Sequence, residues 1–195
     1  MFVRIFASGA AQIKSLRSRL PRVNDGVNIF TSGEQSLLQA RSRTVKPAPA
    51  DWPRFSSTIL YRDAARAIDW LCEAFGFEVR LKVEGDNGRI EHSELTYGEG
   101  LVMVSQEDSH SARAWKALMR SPRSLDGMCT QSIMFFVDDV EAHCAHARAS
   151  GARIVEEPAL HDYGEDYWAD RSYGAVDPEG HLWWITQRIR NPPAR

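Results

Sequence analysis

The sequence predicts an α+β fold in which two βαβββ modules in tandem form a curved mixed sheet with a concave ligand cleft. Three observations carry that prediction. "STILYRDAARAIDWLCEAFGFEVRLKV" passes from an extended apolar run through an Asp into a helix, a Gly and a second extended run, and "SIMFFVDDVEAHCAHARASGARIVEE" repeats the order about 75 residues later. Each helix pattern begins at an Asp whose side chain can accept orphan N–H groups, and ends at a Gly able to turn left-handed. Each is followed by three strand candidates separated by turn residues.

Residues 1–50 carry eight Lys/Arg against Asp25 and Glu34 alone and show no sustained periodicity. A transit-type targeting peptide has this composition, and so does an upstream stretch included by a misplaced start. "VKPAPADWP" at 45–53 reads as an extended linker, because Pro cannot continue a helix and restricts the residue before it. The expected organisation is a poorly ordered basic extension at 1–52, a domain at 53–190 with repeats near 55–106 and 130–190, and a tail at 191–195.

In the first module, Asp63 is placed to cap a helix whose buried face is Ile68, Leu71, Cys72 and Phe75, and Gly76 to end it. "FEVRLKV", "RIEHSELTY" and "GLVMVSQ" then read as strands, parted by "EGDNG" and "GEG". In the second, Asp138 or Asp139 caps a helix carrying Val140, Cys144 and Ala147 on one face, and Gly151 ends it. "ARIVEE", "DRSYGAVD" and "HLWWITQ" complete the pattern. A helix covers one face of each sheet, so the other must be covered by the sister module, a partner chain or a ligand.

Composition narrows the partners. The net charge is −2, and removing the basic extension leaves the remainder near −8, which disfavours nucleic acid. There is no run of 18 apolar residues to enter a membrane. Three cysteines without CxxC spacing argue against a disulfide framework or a zinc knot and fit a reducing, cytoplasmic setting. The expected partners are a small organic ligand and a second copy of the chain, with no nucleic acid and no membrane.

Residues 55–190 resemble the glyoxalase/bleomycin-resistance/dioxygenase group, the vicinal oxygen chelate superfamily, through the paired module order together with "YRDAARAIDWLCEAFGF", "VDDVEAHCAHARASGARI" and "YWADRSYGAVDPEGHLWW". The resemblance implies a concave pocket. In metal-dependent members it would hold one divalent ion, with His or Gln from the first strand of each half and Glu from the last, acting as a Lewis acid. Carried over position by position, the first-strand sites fall on Ser56 and on Ser132, or Gln131 if the register slips by one. The last-strand sites fall on Met103 and Trp184. Hydroxyl, thioether and indole groups are poor ligands for such an ion, so no metal or other cofactor is expected.

Strand alternation adds Thr58, Leu60, Leu101 and Ser105 to the face of Met103, with His92, Glu94 and Thr96 beside them, and Met134, Phe136, Leu182 and Thr186 to the face of Trp184. Thr58, Met134 and Phe136 join the four carried-over positions as ligand-binding candidates. This apolar, aromatic surface suits a flat organic molecule, with Trp184 available for stacking. In "EHSE", His92 and Glu94 share a strand face and are the catalytic candidates, Glu94 fixing the His92 tautomer for proton transfer. Tyr167, Trp168 and Arg171 lie in "HDYGEDYWADRSYGAV", whose density of aromatic and charged residues fits a ligand lid or a dimer seam. His143 and His146 are read as a solvated helix face, and His181 as part of a structural turn. The preferred function is metal-free binding of a small, aromatic organic molecule. The alternatives are a metal-dependent lyase, isomerase or dioxygenase with a non-standard ligand set, and a regulatory or interaction protein with a vestigial pocket.

Overall fold

A computed structural model describes residues 46–108 and 110–193. The expectation of a poorly ordered extension falls almost wholly on residues outside the described ones. All elements of the described residues lie in the compact unit Ala48–Arg195.

The first module comprises β1 (Ser57–Tyr61), α1 (Ala64–Phe75), β2 (Glu78–Glu84), β3 (Ile90–Tyr97) and β4 (Gly100–Gln106). The second comprises β5 (Ser132–Phe136), α2 (Val140–Ala149), β6 (Arg153–Asp162), β7 (Ala169–Val176) and β8 (Leu182–Arg190). Each module builds its own four-stranded mixed sheet, in the orders β1-β4-β3-β2 and β5-β8-β7-β6. The first strand of each runs parallel to the last, and the remaining neighbours are antiparallel. The two βαβββ modules predicted from the repeat are therefore present, as a pair of open sheets. Register shifts in the edge strands β2 and β6 bend both sheets.

The helix ends follow from local chemistry. Asp63 Oδ1 accepts the Arg66 N–H at 3.1 Å, and Asp139 Oδ1 accepts the Ala142 N–H at 3.0 Å, so Asp139 rather than Asp138 caps α2. Gly76, at φ 76°, takes the left-handed conformation that ends α1. α2 stops at Ser150, and Gly151 makes the left-handed turn one residue later.

One core serves both modules. Ile59, Leu95, Val102 and Val104 of the first sheet, the inner faces of α1 and α2, and Tyr173, Trp183 and Ile185 of the second sheet belong to a single buried cluster. The helices also bond across the seam: the Trp70 indole N–H donates to the Ser150 carbonyl and His146 Nε2 to that of Glu73, both at 2.7 Å. Because the helix-bearing faces are turned into the shared core, the opposite faces are left outward. Among the described residues Met134, Phe136, Leu81 and Val83 are exposed there.

Candidate functional site

Cross-strand partners point to the same side of a sheet, so the register decides which candidates meet. On the outer face of the first sheet, Thr58 pairs with Met103, Met103 with Glu94, and Glu94 with Leu81, a row across all four strands. Leu60 pairs with Ser105, Leu101 with Thr96, and His92 with Val83. Ser56 stands just before β1, half-buried. On the second sheet Ser132 pairs with Leu182, Met134 with Trp184, and Phe136 with Thr186. The alternation read from the sequence thus holds for both faces, and Ser132 rather than Gln131 shares the side of Met134.

The adjacent tryptophans divide as a strand requires. Trp183 is fully buried in the shared core, where Phe75 and Phe77 meet it edge-on. Trp184 is half-buried on the outer face and lies over Gly174 of β7: a Cβ at that glycine would come within 3.2 Å of the indole ring and of a Val155 methyl. Gly174 thus lets the large ring lie flat against the sheet. Farther along β8, the Arg188 guanidinium lies 5.3 Å from the Phe136 ring centre and 5.9 Å from that of Trp168, and Asp170 holds its Nε at 2.5 Å. Neither Gly174 nor Arg188 is among the sequence candidates; a glycine inside the apolar run "SYGAV" was the available signal for the first.

Trp168 belongs on this face, in the turn between β6 and β7, with the Tyr167 and Tyr163 rings against it. Arg171 is a correction. Its strand partner is Gln187, whose side chain accepts the Val140 N–H, so Arg171 is on the helix-bearing side, where it ion-pairs with Glu141. One residue of strand parity separates it from the outer face.

The catalytic candidates are in contact. His92 Nε2 and Glu94 Oε1 are 3.1 Å apart, and Arg80 Nε stands 3.7 Å from the other Glu94 oxygen. Glu94 is 7% exposed whereas His92 is half-exposed. With Glu94 accepting from Nε2–H, the Nδ1 lone pair of His92 is left to accept a proton from a ligand.

The metal set implied by the resemblance does not fit these residues. Ser56, Met103, Ser132 and Trp184 offer two hydroxyls, a thioether and an indole, and no carboxylate or imidazole. Among the described residues no three His, Cys, Asp or Glu side chains gather as a metal site.

The acidic turn before β8 is structural. Asp177 Oδ2 accepts from the Tyr61 hydroxyl at 2.7 Å and the Trp183 indole at 3.1 Å, while Oδ1 accepts the N–H groups of Glu179, Gly180 and His181. Glu179 accepts the backbone N–H groups of Arg62 and Asp63 and the Ser121 hydroxyl. His181 Nε2 donates to the Leu60 carbonyl at 3.0 Å. The turn therefore clasps the end of β1 in the other module. Burial, then the adjacent Asp177 carboxylate, pushes the Tyr61 hydroxyl well above its ordinary pKa, which keeps it a donor.

Of the two α2 histidines, His146 is exposed as expected, but His143 is turned into the seam. His143 Nε2 donates to the Phe75 carbonyl at 3.3 Å, and Nδ1 accepts the Tyr173 hydroxyl at 2.7 Å, a pattern that suits the neutral ring. Burial holds the His143 pKa below its ordinary 6.5. As pH falls through that value the unfolded chain takes up a proton that the folded chain resists, so this contribution to stability is full above it and declines below. Urea midpoints compared at about pH 7.5 and about pH 5.5 should therefore fall more in the wild type than in His143→Gln. Equal falls would remove the assignment.

A model of the Glyoxalase/Bleomycin resistance protein/Dioxygenase superfamily matches residues 55–185. An uncharacterized protein of Mycobacterium bovis is 34% identical over 139 residues, covering 71% of this chain and 85% of that protein. The crystal structure of TioX from Micromonospora sp. ML1 superposes with a TM-score of 0.53 at 30% identity, covering 70% of this chain and all of that one. The crystal structure of UcmS2, at 18% identity and a TM-score of 0.51, covers 69% of this chain and 97% of that one and is a likeness of fold alone.

Proposed function

The chain belongs to the glyoxalase/bleomycin resistance protein/dioxygenase superfamily, and from that footing we propose that it binds a small, flat, aromatic organic molecule on its outer sheet faces without the metal centre of its metal-dependent relatives. The observation that carries this reading is Trp184, which lies over Gly174 beside Met134 at the position where the resemblance calls for a carboxylate. An indole face held open by a glycine beneath it, with a thioether next to it and Phe136 further along, offers stacking area and no cation ligand. Thr58, Ser56 and Ser132 supply hydroxyls to orient the ligand, and Tyr167 and Trp168 close one end.

Leu81 and Val83 on the first sheet and Met134 and Phe136 on the second stand exposed on the outer faces, which supports a homodimer in which the first sheet of one copy faces the second sheet of the other. Elemental analysis and sedimentation velocity on one untagged sample, supplied with nickel, zinc, iron and manganese, test both statements. The expected result is a dimer with far less than one ion per chain. About one ion per chain would overturn the metal-free reading, and a monomer would overturn the dimer.

A second reading is favoured by one contact, the His92–Glu94 hydrogen bond. In it the chain is an enzyme, and His92 moves a proton at Nδ1 while Glu94 holds its tautomer.

A further inference from the structure

A cavity of about 670 Å3 opens at the seam of the two modules, and no residue assigned above to the outer faces lines it. Its size is in the range of small-molecule sites, roughly 300–1,000 Å3. Arg66 of α1, Arg123 of the connecting segment and Arg153 at the start of β6 all line it, as do Asp63, Asp126 and the ring of Trp70. We propose that this cavity binds a small phosphorylated polyol, a sugar phosphate in chemical class.

The arginines are the first argument. Arg80, Arg89, Arg148, Arg171, Arg188 and Arg190 each stand within ion-pairing distance of a carboxylate. Arg66, Arg123 and Arg153 have no ion-pair or side-chain hydrogen-bond partner among the described residues, although they come from three separate elements and line one opening. None of the three is ion-paired to the carboxylates at that opening, so their N–H donors remain to meet a phosphate, which a guanidinium can hold through paired hydrogen bonds.

The carboxylates at the same opening define the rest of the ligand. Asp177 and Glu179 also line it, but their oxygens are taken up by the donors of the β1 clasp. Asp63 and Asp126 are exposed and form no ion pair with the three arginines, although Asp63 Oδ1 takes the Arg66 backbone N–H as the α1 cap. A simple polyanion would meet these two charges unfavourably, whereas a ligand bearing hydroxyls donates to them while its phosphate meets the arginines. The Trp70 N–H is already given to Ser150, so its ring offers a face on which the C–H surface of a sugar can rest.

The opening also has a reason in the repeat. Counted from the N-caps, Ala67 of α1 matches His143 of α2. In the second module that imidazole fills the seam between Phe75 and Tyr173; in the first a methyl group leaves it open.

Isothermal titration of the full chain with glucose 6-phosphate, inorganic phosphate and glucose tests the proposal. Glucose 6-phosphate should saturate, at least about tenfold tighter than inorganic phosphate, with glucose showing no heat of binding. Arg123→Gln with Arg153→Gln, both at exposed positions, should weaken it by about tenfold or more, while Trp184→Ala leaves it unchanged. No saturation by about 10 mM glucose 6-phosphate would overturn the site. So would equal affinity for inorganic phosphate, or binding indifferent to the arginine changes. Loss with Trp184→Ala would also overturn it, by moving the ligand to the outer face. The aromatic-ligand proposal stands or falls separately.

Discussion

Asp177→Ala is expected to lower folding stability by about 3–5 kcal/mol, read as a fall in the urea midpoint. The Asp177 carboxylate is 4% exposed and accepts from five donors, two of them on the fully buried side chains of Tyr61 and Trp183. An alanine leaves those two buried donors without their acceptor, at about 1–3 kcal/mol for each, and frees the three backbone donors that shape the turn. The sum is not additive, because a collapsing turn lets some donors find water. Asp177→Asn keeps one acceptor oxygen and should lose less. A loss below about 1 kcal/mol for the alanine variant would show that the clasp is not a principal tie between the modules.

The tryptophan pair should split stability from binding. Trp183→Ala removes a fully buried side chain, together with the indole donor to Asp177, and is expected to cost about 3–5 kcal/mol. Trp184→Ala removes a half-buried ring that lies on Gly174, and should cost under about 1 kcal/mol. Its effect belongs on the ligand: affinity for an aromatic probe such as anilinonaphthalene sulfonate should fall about tenfold or more. Comparable destabilisation by both variants would mean that Trp184 is core, and unchanged probe binding by Trp184→Ala would remove it from the site.

Features fixed by short-range chemistry were legible in the sequence. The Asp63 cap, the Gly76 stop and the period-two alternation depend on a few neighbouring residues, and so "GLVMVSQ" was bounded as the strand Gly100–Gln106. The common face of Met134 and Trp184 followed from the same alternation, while their direct pairing is set by the sheet register. What was not legible depends on partners distant in the chain. Arg171 looked like a lid residue because its neighbours in sequence are aromatic, but its surroundings are set by Gln187 and Glu141. His143 read as solvated because α2 alone shows no partner for it; Tyr173 and the Phe75 carbonyl arrive only with the tertiary fold. Asp177 and Glu179 sat in a turn-like string that gave no sign that their oxygens face inward. The three cavity arginines are far apart in sequence, and no local pattern links them.

The parallel pairing of first with last strand in each sheet bears on the order in which the chain can assemble as it leaves the ribosome. β1 cannot settle until β4 has emerged, since β4 stands between it and the rest of its sheet, and β5 must likewise await β8. Such non-local closure makes folding slow. The first module then has all its strands at residue 106, while Tyr61, the backbone donors after it and the Leu60 carbonyl still lack the partners that Asp177, Glu179 and His181 provide. Vectorial synthesis thus delivers, late, the turn that secures the earliest strand, and a nascent chain halted between the modules carries a paired but unfastened sheet.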